Sequence, residues 1–279
     1  MERFEPSNNQ SLPSRCDVLG VGISSVNMDT ALATIGRWVD HRSKHYVCVT
    51  GVHGVIESQS DPELKAIHNA AGMVTPDGMP MVWLNRLAGN KHVQRVYGPD
   101  LMLAVCAASA AKGKAGPRHF FYGGGEGVAD LLAAKLREKF PDLQIAGTYC
   151  PPFRKMTADE DRAVVETIDR SQADIVWVGL STPKQERWMS AHIGRLAAPV
   201  MIGVGAAFDF HAGLKLQAPR WMQRIGLEWF FRLVTEPRRL WKRYLRNNPL
   251  FVWYVLLQWL GMKNFGALQL GNAQQLRAN

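Results

Sequence analysis

The chain has 279 residues, 47% of them hydrophobic, with 25 Gly and 15 Pro; this excludes a disordered or fibrous protein and suits one large domain with or without an appendage. Its four cysteines, Cys16, Cys48, Cys106 and Cys150, are far apart and form no Cys/His cluster, which argues against a zinc site or disulfide framework and fits a reducing cytoplasm. The formal net charge is +9, and from Pro219 to Arg246 seven arginines and one lysine stand against two glutamates; such a patch either meets phosphate, in nucleic acid, anionic lipid or a phosphorylated substrate, or is a solvated helix face.

Residues 1–15 read as a flexible arm without the apolar core of a signal peptide. "RCDVLGVGISSV" reads as a first strand with a turn, and "MDTALATIGRWVDHR" has a helical period that Asp29 or Thr30 can cap. "HYVCVTGVHG" reads as a buried strand ending near Thr50, and "GVIESQSDPELKAIHNAA" as helix with a break before Pro62. "GMVTPDG" is a short strand and loop before a helix that begins at Pro80. Asp77 there is either a helix cap or a carboxylate at the mouth of a site. "VQRVYGPDLMLAVCAASAAKG" is a loop and then a helix, with Asp100 as its expected N-cap and Arg95 suited to a carboxylate or phosphate.

Beyond this point strands and helices alternate through "RHFFYGGGEGVADLLAAKLREKFPDLQIAGTY", "TADEDRAVVETIDRSQADIVWVGLSTPKQERWMSAH" and "APVMIGVGAAFDFHAG". The alternation predicts an α/β fold, a mostly parallel sheet covered by helices on both faces. Ligands in such sheets sit at the carboxyl ends of the strands. That rule selects Thr50–His53, Asp77, Gly123–Gly127, Ser181–Gln185 and Ala207–His211.

Each candidate has a bland alternative. Backbone N–H groups around Gly124 and Gly125 suit a diphosphate at a helix start, or mark a tight turn. Their spacing is not the dinucleotide pattern, and no P-loop Lys-Ser/Thr follows. Thr182 either serves a ligand with Ser181, Lys184 and Gln185, or caps the helix after Pro183. Asp209, between two phenylalanines, must be solvated or paired. "DED" at 159–161 superficially matches a metal-binding DxD, but it lies in a helix's first turn, where acids suit the dipole. From Pro219 onward, apolar-aromatic and basic residues alternate at helical spacing, with Arg220, Arg224, Glu228 and Arg232 on one face. Pro237 and Pro249 are expected to divide this appendage into short helices. "LFVWYVLLQWLG", residues 250–261, is short of the roughly 18 apolar residues of a spanning helix.

Together "TPDGMPMVW", "RVYGPDLM", "FFYGGGEGV", "VGLSTPKQERW", "GVGAAFDFHAG" and "APRWMQRIGLEWFFRLVTEPRRLWKRYL" resemble the WecG/TagA/CpsF glycosyltransferases, in order, from about Asp17 to about Leu250. The resemblance implies a Rossmann-like catalytic domain, residues 16–218, and a helical, membrane-associating appendage, residues 219–279. It implies an inverting, metal-independent transferase without a cofactor, moving a sugar of N-acetylmannosamine type from a UDP-sugar to a polyprenyl-diphosphate-linked saccharide. The implied location is the cytoplasmic membrane face, against anionic lipid.

By resemblance Asp77 is the general base, and Thr50, Arg95, Gln185 and Asp209 contact substrate, with Gly124 and Gly125 at the diphosphate. Arg232, Arg238, Arg239 and Arg243 fall where appendage arginines reach the site. One departure falls on the sugar contact: many members carry T-x-N at the first motif, whereas here Val52 takes the asparagine position and His53 follows. Two other readings compete. A basic Rossmann-like nucleotide- or nucleic-acid-binding module needs polar readers, but the tail mixes its cations with bulky apolar residues. A nicotinamide-dependent oxidoreductase needs different glycine spacing and an acid after the second strand. The oligomeric state is left open, a homo-oligomer included.

Overall fold

The structure, a computed structural model, describes residues 12–266. The expectations for residues 1–11 and 267–279 lie outside the described residues.

Strands β1 (Arg15–Val18) and β2 (Val21–Ser24) form an antiparallel hairpin of their own. The turn places Leu19 at φ 56° and Gly20 at φ 78°, a two-residue geometry whose twist suits paired strands. The expected first strand is therefore a hairpin beside the main sheet, and it begins at Arg15, inside the expected arm. Helix α1 (Met28–Asp40) is capped by Asn27, not by Asp29 or Thr30 alone; Thr30 closes the reciprocal half of the capping box.

There follow β3 (His45–Thr50), α2 (Val52–Ser60), α3 (Pro62–Ala70), β4 (Met73–Pro76), α4 (Met79–Leu87) and α5 (Gly98–Ala110). Then come β5 (His119–Gly123), α6 (Val128–Lys139), β6 (Ile145–Tyr149), α7 (Ala158–Arg170), β7 (Ile175–Gly179), α8 (Lys184–His192), β8 (Val200–Gly203) and α9 (Ala207–His211). The appendage is α10 (Arg220–Arg224), α11 (Glu228–Thr235) and α12 (Pro237–Trp259).

Six parallel strands form the main sheet in the order β4-β3-β8-β7-β5-β6. Both faces are covered, as the apolar runs require. Along β7, Ile175 and Trp177 join a core with α1, α5, α6 and α9, while Val176 and Val178 join an opposite core with α2, α3, α7 and α8. The hairpin and Phe251 of α12 belong to that second core.

The strand order changes direction at β3: the chain steps outward to β4 and then crosses to β5 on the other side of β8 and β7. That crossover opens a crevice at the carboxyl ends of the strands, the usual place for a ligand. Backbones approach closely there. Gly123 has φ +123°, and a Cβ on it comes within 2.7 Å of the Gly179 carbonyl carbon. Gly123→Ala is therefore expected to lower the thermal midpoint by several degrees, a loss of about 1–3 kcal/mol from the backbone conformation alone, read by scanning calorimetry.

Pro237 does separate α11 from α12, but Pro249 lies inside a continuous 23-residue helix. An interior proline costs about 3 kcal/mol. Burial of Leu240, Asn247 and Phe251 on either side of it offsets that cost. No helix among the described residues is long and apolar enough to cross a membrane.

Candidate active site

The crevice has a volume of about 1310 Å³, above the roughly 300–1,000 Å³ of ordinary small-molecule sites. The sheet contributes Thr50 from β3, Asp77 after β4, Gly124 and Gly125 after β5, Gln185 after β7 and Asp209 after β8. The appendage closes it with Glu228, Arg232, Arg239, Arg243 and Asn247.

Asp77 is not a helix cap. Gly78, at φ 94°, takes the cap position of α4, and the Asp77 N–H donates to Thr50 O at 3.1 Å and Thr75 O at 2.9 Å. Its side chain, 29% exposed, opens onto the crevice. Arg95 Nη2 lies 3.4 Å from Asp77 Oδ1 and also pairs with Glu228 of α11. The Arg95 guanidinium stacks 4.0 Å over the Tyr97 ring. Burial pushes the Asp77 carboxyl up to about 6; Arg95 opposes the shift, the Glu228 charge adds to it, and Arg232 opposes it more weakly.

Buried polar atoms are normally hydrogen-bonded. Here Thr50 Oγ1, Tyr97 OH, Gln185 Oε1 and the Nε atoms of Arg95, Arg232 and Arg243 are buried without partners, and all six residues line the crevice. Burial, with Arg232 and Arg239 nearby, lowers the Arg243 pKa. Five of these atoms can donate and three carry a guanidinium charge, which suits an anionic, oxygen-rich ligand, while Gln185 Oε1 can accept from a hydroxyl.

The family model described as the Glycosyl transferase WecG/TagA/CpsF family matches residues 16–265. The chain belongs to this family. It is similar to a Bacillus subtilis (strain 168) protein named N-acetylglucosaminyldiphosphoundecaprenol N-acetyl-beta-D-mannosaminyltransferase, at 29% identity over 250 residues, covering 86% of this chain and 93% of the relative. A relative of the same name in Bacillus spizizenii is 30% identical over 219 residues, covering 78% of this chain and 81% of the relative. The chain is a glycosyltransferase.

In this WecG/TagA/CpsF member the crevice gathers all but one of the site residues that the resemblance implied, together with His53. The exception is Arg238, which is exposed and absent from the lining. Arg239 and Arg243 are four residues apart and share a helix face, whereas Arg238 is turned about 100° from Arg239. Gly124 lines the crevice, but its N–H donates to Gly179 O at 2.9 Å and is not free for a diphosphate. Gln185 is buried and donates to Glu186 Oε1 at 3.0 Å, leaving its own Oε1 open. Asp209 is paired with Lys215 at 2.6 Å.

Other local expectations shift. Asp100 does not cap α5, because Tyr97 holds that position; Asp100 instead binds Arg220 of α10 at 2.7 Å. Thr182 donates to Glu186 at 2.9 Å rather than capping α8. The 159–161 acids are engaged in their own region: Glu160 completes a capping box with Thr157, and Asp161 binds His192 at 3.0 Å and Arg195 at 2.6 Å.

Sequence reasoning missed Tyr97, Glu228 and Asn247. Glu228 had a signal in its four-residue spacing from Arg232, which α11 realises; the expected face through Arg220 and Arg224 is not formed, because the chain breaks at Gly226 and those two lie on the separate α10. Asn247 had none, and Tyr97 only its place beside Arg95.

Proposed function

We propose that this chain moves a hexose or N-acetylhexosamine from a UDP-sugar to a polyprenyl-diphosphate-linked saccharide, inverting the anomeric centre without a metal ion. The relatives' names favour an N-acetylmannosamine donor, an N-acetylglucosaminyl-diphosphate-lipid acceptor and a role in a bacterial surface polymer or exopolysaccharide. The observation that carries the reading is the Asp77 carboxylate in a crevice ringed by Arg95, Arg232, Arg239 and Arg243; of the other two acids lining it, Asp209 is paired with Lys215 and Glu228 with Arg95.

In this mechanism Asp77 takes the proton of the acceptor hydroxyl as that oxygen attacks the anomeric carbon. The bond from that carbon to the UDP oxygen breaks on the opposite face, and charge develops on the departing diphosphate. The appendage arginines and the Gly125 turn stabilise that charge. In this reading the cationic role belongs to the guanidinium groups of Arg95, Arg232, Arg239 and Arg243, which line the crevice. A base that must be ionised gives a rate that rises with pH. The expected profile of kcat/KM has an ascending limb near pH 6, from the raised Asp77 pKa, and a plateau above it.

The appendage also suits a lipid-linked acceptor at the cytoplasmic face. Trp221, Trp229, Phe230, Trp241, Trp253, Leu256 and Trp259 are all exposed, interleaved with arginines. Aromatic rings favour the headgroup region, and each Lys or Arg near an anionic leaflet adds about 1 kcal/mol. Trp253→Ser with Trp259→Ser is expected to weaken flotation with phosphatidylglycerol vesicles at least about tenfold while leaving the fold intact, since the two side chains are exposed. Unchanged flotation places the membrane contact elsewhere. Incubation with a panel of UDP-sugars and a short-chain lipid-diphosphate acceptor, followed by mass spectrometry, tests the activity itself.

A further inference from the structure

After β3 the chain turns into α2, and the first two side chains of that helix meet different surroundings. Val52, the first residue of α2, offers only methyl groups and packs against the second core. His53 is the next side chain on that turn and lines the crevice. Its Nδ1 lies 3.0 Å from Nδ2 of Asn247, a residue of α12 that is 3% exposed. An amide nitrogen can only donate, so Nδ1 accepts, and a neutral ring then carries its proton on Nε2.

The charged groups facing the ring are Glu57 on its own helix, Arg232 on α11 and Arg243 on α12. Glu57 Oε1 stands 3.6 Å from Nδ1, beyond a proper hydrogen bond, so the nearer Asn247 amide decides the proton's place. Burial and the two arginines hold the ring's pKa down to about 4, so the ring is neutral at neutral pH.

We propose that Asn247 is a positioning residue: it fixes His53 as the Nε2–H tautomer, and that N–H supplies to the crevice a neutral hydrogen-bond donor for the hydroxyl groups of the sugar. The contact that holds the ring in this state comes from α12, so orientation of the donor is tied to the packing of the appendage on α2. The sugar contact rests on the transfer reaction proposed above. The tautomer rests only on the contact between α2 and α12.

The test is the nitrogen NMR spectrum of the full chain labelled at histidine, with His53 assigned by its loss in His53→Asn. The wild-type ring should show the Nε2–H pattern, unchanged between pH 6 and pH 8. In Asn247→Asp, where the new carboxylate can only accept, the proton should move to Nδ1 and the ring should titrate in that range. At pH 8, where that ring is neutral with its proton on Nδ1, the same variant should raise KM for the sugar donor about 3- to 10-fold, the worth of one neutral hydrogen bond, with a smaller change in kcat. A wild-type Nδ1–H or charged ring overturns the proposal, as does an Asn247→Asp spectrum identical to wild type. A failure of the transfer reaction shows separately, as absent wild-type turnover, and the spectrum decides the positioning role in either case.

Discussion

Asp77→Asn is expected to lower kcat by about 10²–10⁴-fold, the usual contribution of a positioned general base, while UDP affinity measured by calorimetry changes less than about threefold. The asparagine has the same shape and keeps the backbone contacts to Thr50 and Thr75. What it loses is the ability to take a proton. The pH-dependence of stability provides an internal control. Burial holds the folded Asp77 carboxyl up at about 6, above its ordinary 3.8. A raised acid contributes stability that is complete below the unfolded pKa and is lost as pH rises through the folded one. The wild type should therefore lose stability between about pH 4 and pH 6 relative to Asp77→Asn, which is neutral throughout. A variant that keeps full turnover removes Asp77 from the chemistry. A variant that is merely unstable at pH 7 makes Asp77 a structural partner of Arg95.

Arg232→Ala and Arg243→Ala are each expected to cost about 10²–10³-fold in kcat, the scale for removing one donor that stabilises transition-state charge. Both guanidinium groups have a buried Nε without a protein partner and line the crevice. Neither makes a protein ion pair among the described residues, so neither substitution breaks one. Thermal midpoints should accordingly stay close to wild type, and burial strain at Arg243 is relieved by the change. Arg239 differs, because Glu236 holds it at 2.6 Å. Arg239→Ala should give a smaller catalytic loss, and Arg238→Ala, on the exposed face, almost none. Equal losses at Arg238 and Arg243 would mean that these side chains act through membrane charge rather than in the crevice.

The sheet was legible because its strands are written as β-branched and aromatic runs between helical periods. Once a parallel sheet is inferred, the carboxyl-end rule collects Thr50, Asp77, Gly125, Gln185 and Asp209 into one place without further information. What local pattern conceals is pairing at a distance. The hairpin of β1 and β2 leaves the main sheet because its residues complete the second core, which is a tertiary choice. Gly124 is consumed by Gly179, a neighbour brought alongside by the pairing of β5 with β7. Pro249 breaks a helix by local rule, yet α12 runs through it because Asn247 and Phe251 are buried against the domain. Asn247 lies outside every motif, and it joins the site, as Glu228 does, because the appendage folds back over the crevice.

Turnover of purified protein with a UDP-sugar panel and a short-chain polyprenyl-diphosphate N-acetylglucosamine acceptor, in excess EDTA, tests the central claim most directly. One carboxylate and a ring of arginines suffice if a single β-linked product and UDP form at an undiminished rate. Product that forms only when a divalent ion is restored, or a product of retained configuration, contradicts the mechanism.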